Sequence, residues 1–109
     1  MQDLLSELDN HVLLLTFNRT SKHNAFDDAF VSALQEQLDA AINNPTVRVI
    51  MLRANGRHFS AGADVAWMQR MASFSEAENV ADAKALAHLL STLYHSPKPT
   101  LAVVQGHAL

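Results

Sequence analysis

A short stretch centred on one glycine, residues 60–64 (SAGAD), is the part of the sequence best suited to chemistry. Its small residues would let another molecule approach the backbone closely. We expect a strand before it and a helix after it, so that its N–H groups lack intrahelical partners and lie at the positive end of the helix dipole. Such groups can stabilise a negatively charged oxygen, for example a developing enolate. A tight loop that needs glycine only for its geometry would give the same pattern.

Polar side chains around this stretch each allow two interpretations. Asp64 is either a general base or, as its position before a helix favours, the cap of that helix. His23 and His58 flank the stretch as ligand contacts or as surface residues. Lys22 and Arg57 could bind phosphates as point charges, or could be exposed solubilising groups.

Apolar residues that follow the stretch add a candidate pocket. Trp67, Met68 and Met71 could line an apolar ligand site, because such side chains adapt to apolar ligands, or could pack a short helix. Ser60 is not in a G-x-S-x-G nucleophile elbow, because position 58 is His. Six histidines are present without metal-ligand spacing, and cysteine is absent. The sequence therefore predicts no metal site.

Seven main elements must position these residues within a single domain over residues 1–109. A strand at 11–17 is expected to pair with the LLSEL segment before it through a turn at Asp9 and Asn10. Further elements are predicted at these residues: a helix from 27 or 28 to 42, a strand at 47–54, a short helix at 64–71, a helix from about 76 to 95 that begins with a capping box, and a strand at 100–106. The order ββαβααβ indicates an α/β fold with a largely parallel sheet.

Burial can also be predicted from the pattern. The strand at 47–54 is almost continuously apolar and is expected to be covered on both faces. The strand at 100–106 is expected to be buried. Two helical stripes should face the core. They comprise, in the first helix, Phe30, Ala33, Leu34, Leu38, Ala41 and Ile42, and in the long helix, Val80, Ala83, Ala87, Leu90, Leu93 and Tyr94.

Charge and composition exclude several classes of function. The net charge is −3, and the eight Lys and Arg residues are scattered, which argues against a nucleic-acid partner. Apolar runs of about five residues are too short to span a membrane, and the N-terminus does not resemble a signal peptide. We therefore expect a cytoplasmic protein. Because the chain stops at GHAL directly after a predicted strand, we also expect it to be part of a longer polypeptide.

Three segments in this order, NRTSKHNAF at 18–26, HFSAGAD at 58–64 and KPTLAVVQGHAL at 98–109, resemble the crotonase (enoyl-CoA hydratase/isomerase) superfamily. The resemblance covers essentially the whole chain and corresponds to the N-terminal part of a family member. SAGADVAWMQ and PTLAVVQG look most similar to the branch that hydrates methylglutaconyl-CoA or related branched enoyl-CoA thioesters in leucine and terpenoid breakdown.

This resemblance implies a crotonase-type spiral of ββα units, here truncated, and an acyl-CoA thioester substrate whose coenzyme A needs no further cofactor. It implies that the Ala63 N–H binds the thioester oxygen. The substrate and coenzyme A contacts that it implies are Lys22, His23, Asn24, Ala25, Ala61, Gly62, Asp64 and Val65. The second oxyanion donor and the catalytic glutamates would lie beyond residue 109, so the chain alone should be inactive. A homo-oligomer, trimer or hexamer, is implied for the full-length protein.

Two classes of function stay open at this point. The chain is either half of an acyl-CoA enzyme or a non-catalytic crotonase-like module that binds a thioester or a partner chain. RNA binding within the family relies on a lysine-rich helix, whereas the matching helix at 27–44 has no Lys or Arg. Hydratase, isomerase and thioester hydrolase cannot be separated by these residues.

Overall fold

The computed structural model describes residues 2–109 and contains four strands, three α-helices and one 3-10 turn. In chain order they are β1 (Leu4–Asp9), β2 (Val12–Phe17), the 3-10 turn (Thr20–Lys22), α1 (Asp28–Ile42), β3 (Val49–Ala54), α2 (Val65–Met71), α3 (Glu76–Tyr94) and β4 (Thr100–Ala102). This order confirms the predicted α/β fold and its sequence of elements.

A single sheet has the strand order β1-β2-β3-β4. β1 and β2 pair antiparallel through a tight turn, in which Asn10 and His11 have φ angles of 50° and 70°. Two successive left-handed residues give the twist that a two-residue hairpin needs. The predicted hairpin is therefore confirmed, but its turn lies at residues 10–11, one residue later than predicted. β2, β3 and β4 are parallel, as expected from the helices that connect them.

The core lies on one face of this sheet, beneath α1. Phe17 is its centre, with ring centroids 4.9–5.5 Å from those of Phe26, Phe30 and Phe59. The buried members from the sheet, α1 and α3 are Leu13, Leu15, Phe17, Ile50, Leu52, Phe30, Val31, Leu34, Leu38, Ala41 and Leu89, with Val47 just before β3. The predicted stripe of α1 is largely confirmed, because only Ala33 and Ile42 are less than fully buried.

β3 corrects the expectation that both of its faces are covered. Ile50 and Leu52 are buried, but Val49 and Met51 are half-buried and Arg53 is exposed. The Arg53 Nε donates to the Thr16 hydroxyl at 2.9 Å. Because α1 packs on one face, alternation decides the burial of each residue.

β4 is shorter than predicted and exposed, which corrects the expectation of a buried strand over 100–106. All three of its residues are exposed. The Val103 N–H still donates to Leu52 O of β3 at 2.9 Å, and from residue 104 the chain leaves the sheet and binds the loop before α2 instead. The Phe59 N–H donates to Gln105 O, the Ser60 N–H to His107 O, and the Leu109 N–H to Ser60 O. These backbone hydrogen bonds replace the strand pairing that the sequence predicted.

α3 begins with the predicted capping box, in which Ser75 and Glu78 bond reciprocally. Its predicted stripe is wrong except at Leu93, however, since Val80, Leu90 and Tyr94 are exposed. Leu89 is the buried residue, and Leu86 and Leu93 pack partly against the core. Small alanines occur on several sides of α3, so its sequence specifies its rotation only weakly, and packing against α1 decides it.

Candidate active site

The loop before α2 leaves one peptide N–H free at its turn. The Phe26 N–H donates to Gly62 O, and the Asp64 N–H donates to Phe26 O, both at 2.7 Å. In this parallel bridge between Phe26 and Ala63, the Ala63 N–H points away from Phe26. Across residues 2–109 it makes no hydrogen bond. It is therefore a donor available to a bound molecule.

Gly62 gives this turn its shape. Its φ of +93° is strained for any residue with a side chain, although an added Cβ would be 3.6 Å from the Leu109 Cβ, an ordinary contact. Backbone conformation, rather than room within the chain, therefore requires glycine here. The Gly62 N–H donates to the Ser60 hydroxyl at 3.2 Å, and that hydroxyl donates to Asn24 O. Ser60 is buried and braces the turn.

An apolar cavity of about 360 Å³ lies beside the turn. Ala63 is part of its wall, so the free N–H belongs to a residue at the cavity's edge. Aromatic and aliphatic side chains form most of the lining, which comprises Phe26, Phe59, Ser60, Gly62, Ala63, Trp67, Leu86, Leu90, Ala108 and Leu109. Such a lining suits an uncharged chain or ring. We call it the apolar cavity.

A second depression of about 340 Å³, the loop groove, shares Ala63 with the apolar cavity. Its lining is more polar and comprises Ser21, Lys22, His23, Ala25, Ala61, Ala63, Asp64, Val65 and Ala66. The structure thus brings most of the predicted binding residues together in this groove. Gly62 lines the apolar cavity instead. The two depressions meet at Ala63.

Asn24 is the predicted site residue that lines neither depression. It is buried, and its side-chain Nδ2 donates to Asn55 O at 2.8 Å and to His58 O at 2.9 Å. Its Oδ1 accepts from the Arg19 N–H at 2.8 Å. The amide therefore holds the two loops of the site together.

Asp64 caps α2, as its sequence position favoured. Its carboxylate accepts from the Trp67 N–H and from Arg19 Nη2, each at 3.1 Å. Burial raises the pKa of Asp64, but the hydrogen bonds from Trp67 and Arg19 and the Arg19 charge outweigh it and lower the pKa below its ordinary value. A carboxylate so engaged is a weak proton acceptor, so this geometry does not support a general base.

Arg19 is a site residue that sequence reasoning did not single out. Its guanidinium lies 3.2 Å from Asp27 and 3.1 Å from Asp64, the caps of α1 and α2, and 3.3 Å from Asp3. It also donates to Ala25 O. Arg19 thereby fixes the loop groove between two helix starts. The sequence offered one signal for this role. Two aspartates, 27 and 64, were expected to start helices, and a single cation placed between them could pair with both.

Three histidines meet where the last segment contacts the loop. The His58 ring stacks on His107 with centroids 4.5 Å apart, and His23 lies edge-on at 5.5 Å. The His58 Nδ1 accepts from the His107 N–H at 3.0 Å. Partial burial, then the charges of His107, His23 and Arg57, lower the pKa of His58. Within the described residues, no group of three or more His, Cys, Asp or Glu is arranged to hold a metal ion.

The candidate pocket residues separate in the structure. Trp67 is 5% exposed and lines the apolar cavity. Its indole Nε1 donates to Asp82 of α3 at 3.2 Å. Met68 is exposed and Met71 is half-buried, and neither lines the cavity. Phe26, Phe59, Leu86 and Leu90, which sequence reasoning did not assign to a pocket, complete the wall.

The sheet order, the helices and this loop define an α/β protein of the crotonase fold. The family model for Enoyl-CoA hydratase/isomerase matches residues 7–109, so the chain belongs to that family.

Similar proteins include hydratases of known structure. A Legionella pneumophila crystal structure assigned to the enoyl-CoA hydratase/isomerase (crotonase) group is 56% identical, with a TM-score of 0.92, and 95% of this chain matches 40% of that chain. The crystal structure of an enoyl-CoA hydratase from Shewanella pealeana is 40% identical, with a TM-score of 0.93. In that comparison 96% of this chain matches 40% of that chain. The 2,3-dehydroadipyl-CoA hydratase of Escherichia coli is 34% identical over 109 residues, which are 100% of this chain and 41% of the relative.

The chain thus spans about two fifths of the length of these relatives. Across residues 2–109, the helices fall short of the length and apolarity that crossing a membrane requires.

Proposed function

We propose that the polypeptide containing this chain binds an acyl-CoA thioester and hydrates its conjugated double bond, and that this chain supplies one oxyanion donor and part of the coenzyme A site. The observation that carries the proposal is the free Ala63 N–H at the junction of the apolar cavity and the loop groove. Membership of the enoyl-CoA hydratase/isomerase family supports it.

The chemistry follows from where charge develops. Addition of water to an enoyl thioester places negative charge on the carbonyl oxygen, and a preorganised N–H stabilises that charge most where water is excluded. With the thioester oxygen at Ala63, the acyl chain extends into the apolar cavity. The pantetheine and nucleotide then follow the loop groove past Lys22 and His23, whose positive or polar groups suit phosphates.

The proposal takes its proton chemistry from another part of the protein. Asp64, the carboxylate next to Ala63, is paired and its pKa is lowered, so it is poorly suited to act as the general acid or base. The second oxyanion donor and the catalytic carboxylates of the proposal would lie in sequence after residue 109. The 109-residue chain should therefore bind a thioester without turning it over, and measurable hydration of crotonyl-CoA by it would contradict this proposal.

Isomerase activity is the second candidate, because the family that matches includes isomerases. The two reactions share oxyanion stabilisation and differ in proton transfer, so the contribution of this chain would be the same. The finer proposals are a branched acyl group such as methylglutaconyl, assembly as a trimer or hexamer, and a cytoplasmic location.

Replacement of the Ala63 amide by an ester, with L-lactic acid at position 63, tests the proposal. The ester keeps the side chain and removes the N–H. We expect the Kd for crotonyl-CoA to rise about fivefold, the worth of roughly one neutral hydrogen bond, while the Kd for coenzyme A itself, which lacks the carbonyl, changes less than about twofold.

The matched control is the same ester at Ala77, an exposed alanine in the first turn of α3. Its N–H likewise makes no hydrogen bond within residues 2–109, and it lies outside both depressions. Isothermal titration calorimetry gives both constants. An equal loss for crotonyl-CoA and coenzyme A, or an equal loss at position 77, would contradict the role of Ala63.

A further inference from the structure

One hydrogen bond joins α2 to α3 across the apolar cavity. The Trp67 Nε1 donates to Asp82 Oδ2 at 3.2 Å. Trp67 is buried, and Asp82 is half-buried. Throughout residues 2–109 no second hydrogen bond connects these two helices. The distance between them near the cavity therefore depends on this contact and on apolar packing.

The cavity-facing side chains of α3 lie on the same helical face as Asp82. Positions 82, 86 and 90 are four residues apart, a spacing that places side chains one above another. Leu86 and Leu90 line the apolar cavity together with Trp67 of α2. Leu90 is 56% exposed because its outer side borders solvent. Any shift of α3 relative to α2 would therefore change the width of the cavity.

A second polar contact holds the far end of α3. The Gln35 Nε2 of α1 donates to the Thr92 hydroxyl at 2.9 Å, while Leu89 between the two contacts is buried in the core. α3 is thus fixed to α1 at one end and to α2 at the other. Loss of the Trp67–Asp82 contact would free the N-terminal part of α3, which leads directly into the cavity-lining Leu86.

We propose that Trp67 and Asp82 determine which acyl chains fit, because their hydrogen bond sets the width of the apolar cavity between α2 and α3. This inference rests on the proposed function, in which the cavity holds the acyl chain. Asp82 acts through Trp67 and is a positioning residue. Each methylene that loses its contact in a widened cavity reduces affinity by about fourfold.

The test compares Asp82→Ala with Asp82→Asn in the 109-residue chain. The asparagine Oδ1 can still accept from the indole, so it separates the hydrogen bond from the charge. The quantity measured by calorimetry is the ratio of Kd for coenzyme A to Kd for crotonyl-CoA. We expect Asp82→Ala to lower this ratio about threefold to tenfold. The affinity for 2-octenoyl-CoA should fall less, because its longer chain fills a wider cavity. Asp82→Asn should stay within about twofold of the parent chain.

Two controls distinguish a local effect from general loss of structure. Lys84→Ala, an exposed substitution on the opposite side of α3, should leave the ratio unchanged. Trp67 is the only tryptophan of the sequence, so its emission reports directly on the contact. We expect that emission to shift with Asp82→Ala and to stay unchanged with Asp82→Asn and Lys84→Ala.

The outcomes are separable. If coenzyme A and crotonyl-CoA bind but Asp82→Ala leaves their ratio unchanged, or if Asp82→Asn lowers it equally, the inference is overturned while the proposed function stands. If coenzyme A fails to bind the parent chain, the proposed coenzyme A site is overturned. Crotonyl-N-acetylcysteamine, a thioester without the nucleotide, then serves as the probe for the same comparison, and its failure to bind would overturn the inference too.

Discussion

At the scale of single residues, the site depends on backbone groups that side chains hold in place. Ala63 contributes an N–H, and Gly62 supplies the left-handed conformation of the turn. Asn24, Ser60 and Arg19 use their polar groups to fix the surrounding loops. Under the proposed function, this division accounts for the lack of a reactive side chain in the stretch, since an oxyanion donor needs only a rigid peptide.

The lowered pKa of Asp64 predicts how the stability of the fold changes at acid pH. Because its folded pKa lies below its unfolded value of 3.8, it stabilises the fold above about pH 4, and this contribution is lost as pH falls through the lower, folded pKa. Asp64→Asn should therefore cost more stability at pH 7 than at pH 3. Urea unfolding followed by Trp67 emission measures the difference.

The control for this prediction is Asp9→Asn, which removes an exposed carboxylate outside the Arg19 network. Its effect should be small at both pH values. A cost of Asp64→Asn that is the same at pH 3 and pH 7 would show that its carboxylate contributes through shape alone.

At the scale of elements, the last segment is the least regular part of the site and is held by backbone contacts. Gly106 has a φ of +58°, and an added Cβ would overlap Arg57 O and lie 2.6 Å from the His58 Nδ1. The segment can thus approach the loop only with glycine at this position. Its docking in turn brings Ala108 and Leu109 to the apolar cavity.

Gly106→Ala should destabilise the docked segment by about 2–4 kcal/mol, because strain and overlap add. Amide hydrogen exchange should then show lost protection at Phe59, Ser60 and Leu109, whose N–H groups hold this contact, and little change in β2. Gly56→Ala is the comparison, because Gly56 also has a positive φ, of +88°. There an added Cβ would meet only the flexible Thr20 side chain, at 3.2 Å, so the substitution adds strain without backbone overlap. Retained protection at 59, 60 and 109 in Gly106→Ala would disprove the docking.

At the scale of the whole molecule, apolar side chains on one flank remain uncovered. Leu101, Val103, Val104 and Leu109 are each more than half exposed. Adjacent exposed apolar residues on an edge strand and its continuation favour association. We therefore expect the isolated chain to self-associate or to melt at low temperature.

Size-exclusion chromatography with light scattering, together with thermal unfolding, checks this expectation. Val103→Lys combined with Leu101→Lys should shift the chain towards monomer, because charge opposes pairing at a sheet edge. Lys84→Ala serves as a control away from this flank. A sharp monomeric peak with a cooperative melt for the unsubstituted chain would count against the prediction.

Much of the fold could be predicted because its signals are local. The caps Asp27, Asp64 and Ser75 indicated three helix starts, and residues 9–10 between two β-prone segments indicated the hairpin. The segments around 22–25 and 61–65 could be proposed as one site from resemblance, and the structure places most of them along one groove. Their roles as substrate contacts remain predictions.

What the sequence determined by itself is the order of elements and the need for glycine at the turn, since both depend on near neighbours in the chain. Tertiary structure decided the rotation of α3, the one-sided burial of β3, the departure of residues 104–109 from the sheet, and the set of residues that line the apolar cavity. Tertiary structure also decided that Arg19 lies between the caps of α1 and α2, and that the Trp67 indole donates to Asp82. Each depends on contacts between residues far apart in sequence, where several packings satisfy the same local pattern and only the assembled core selects one.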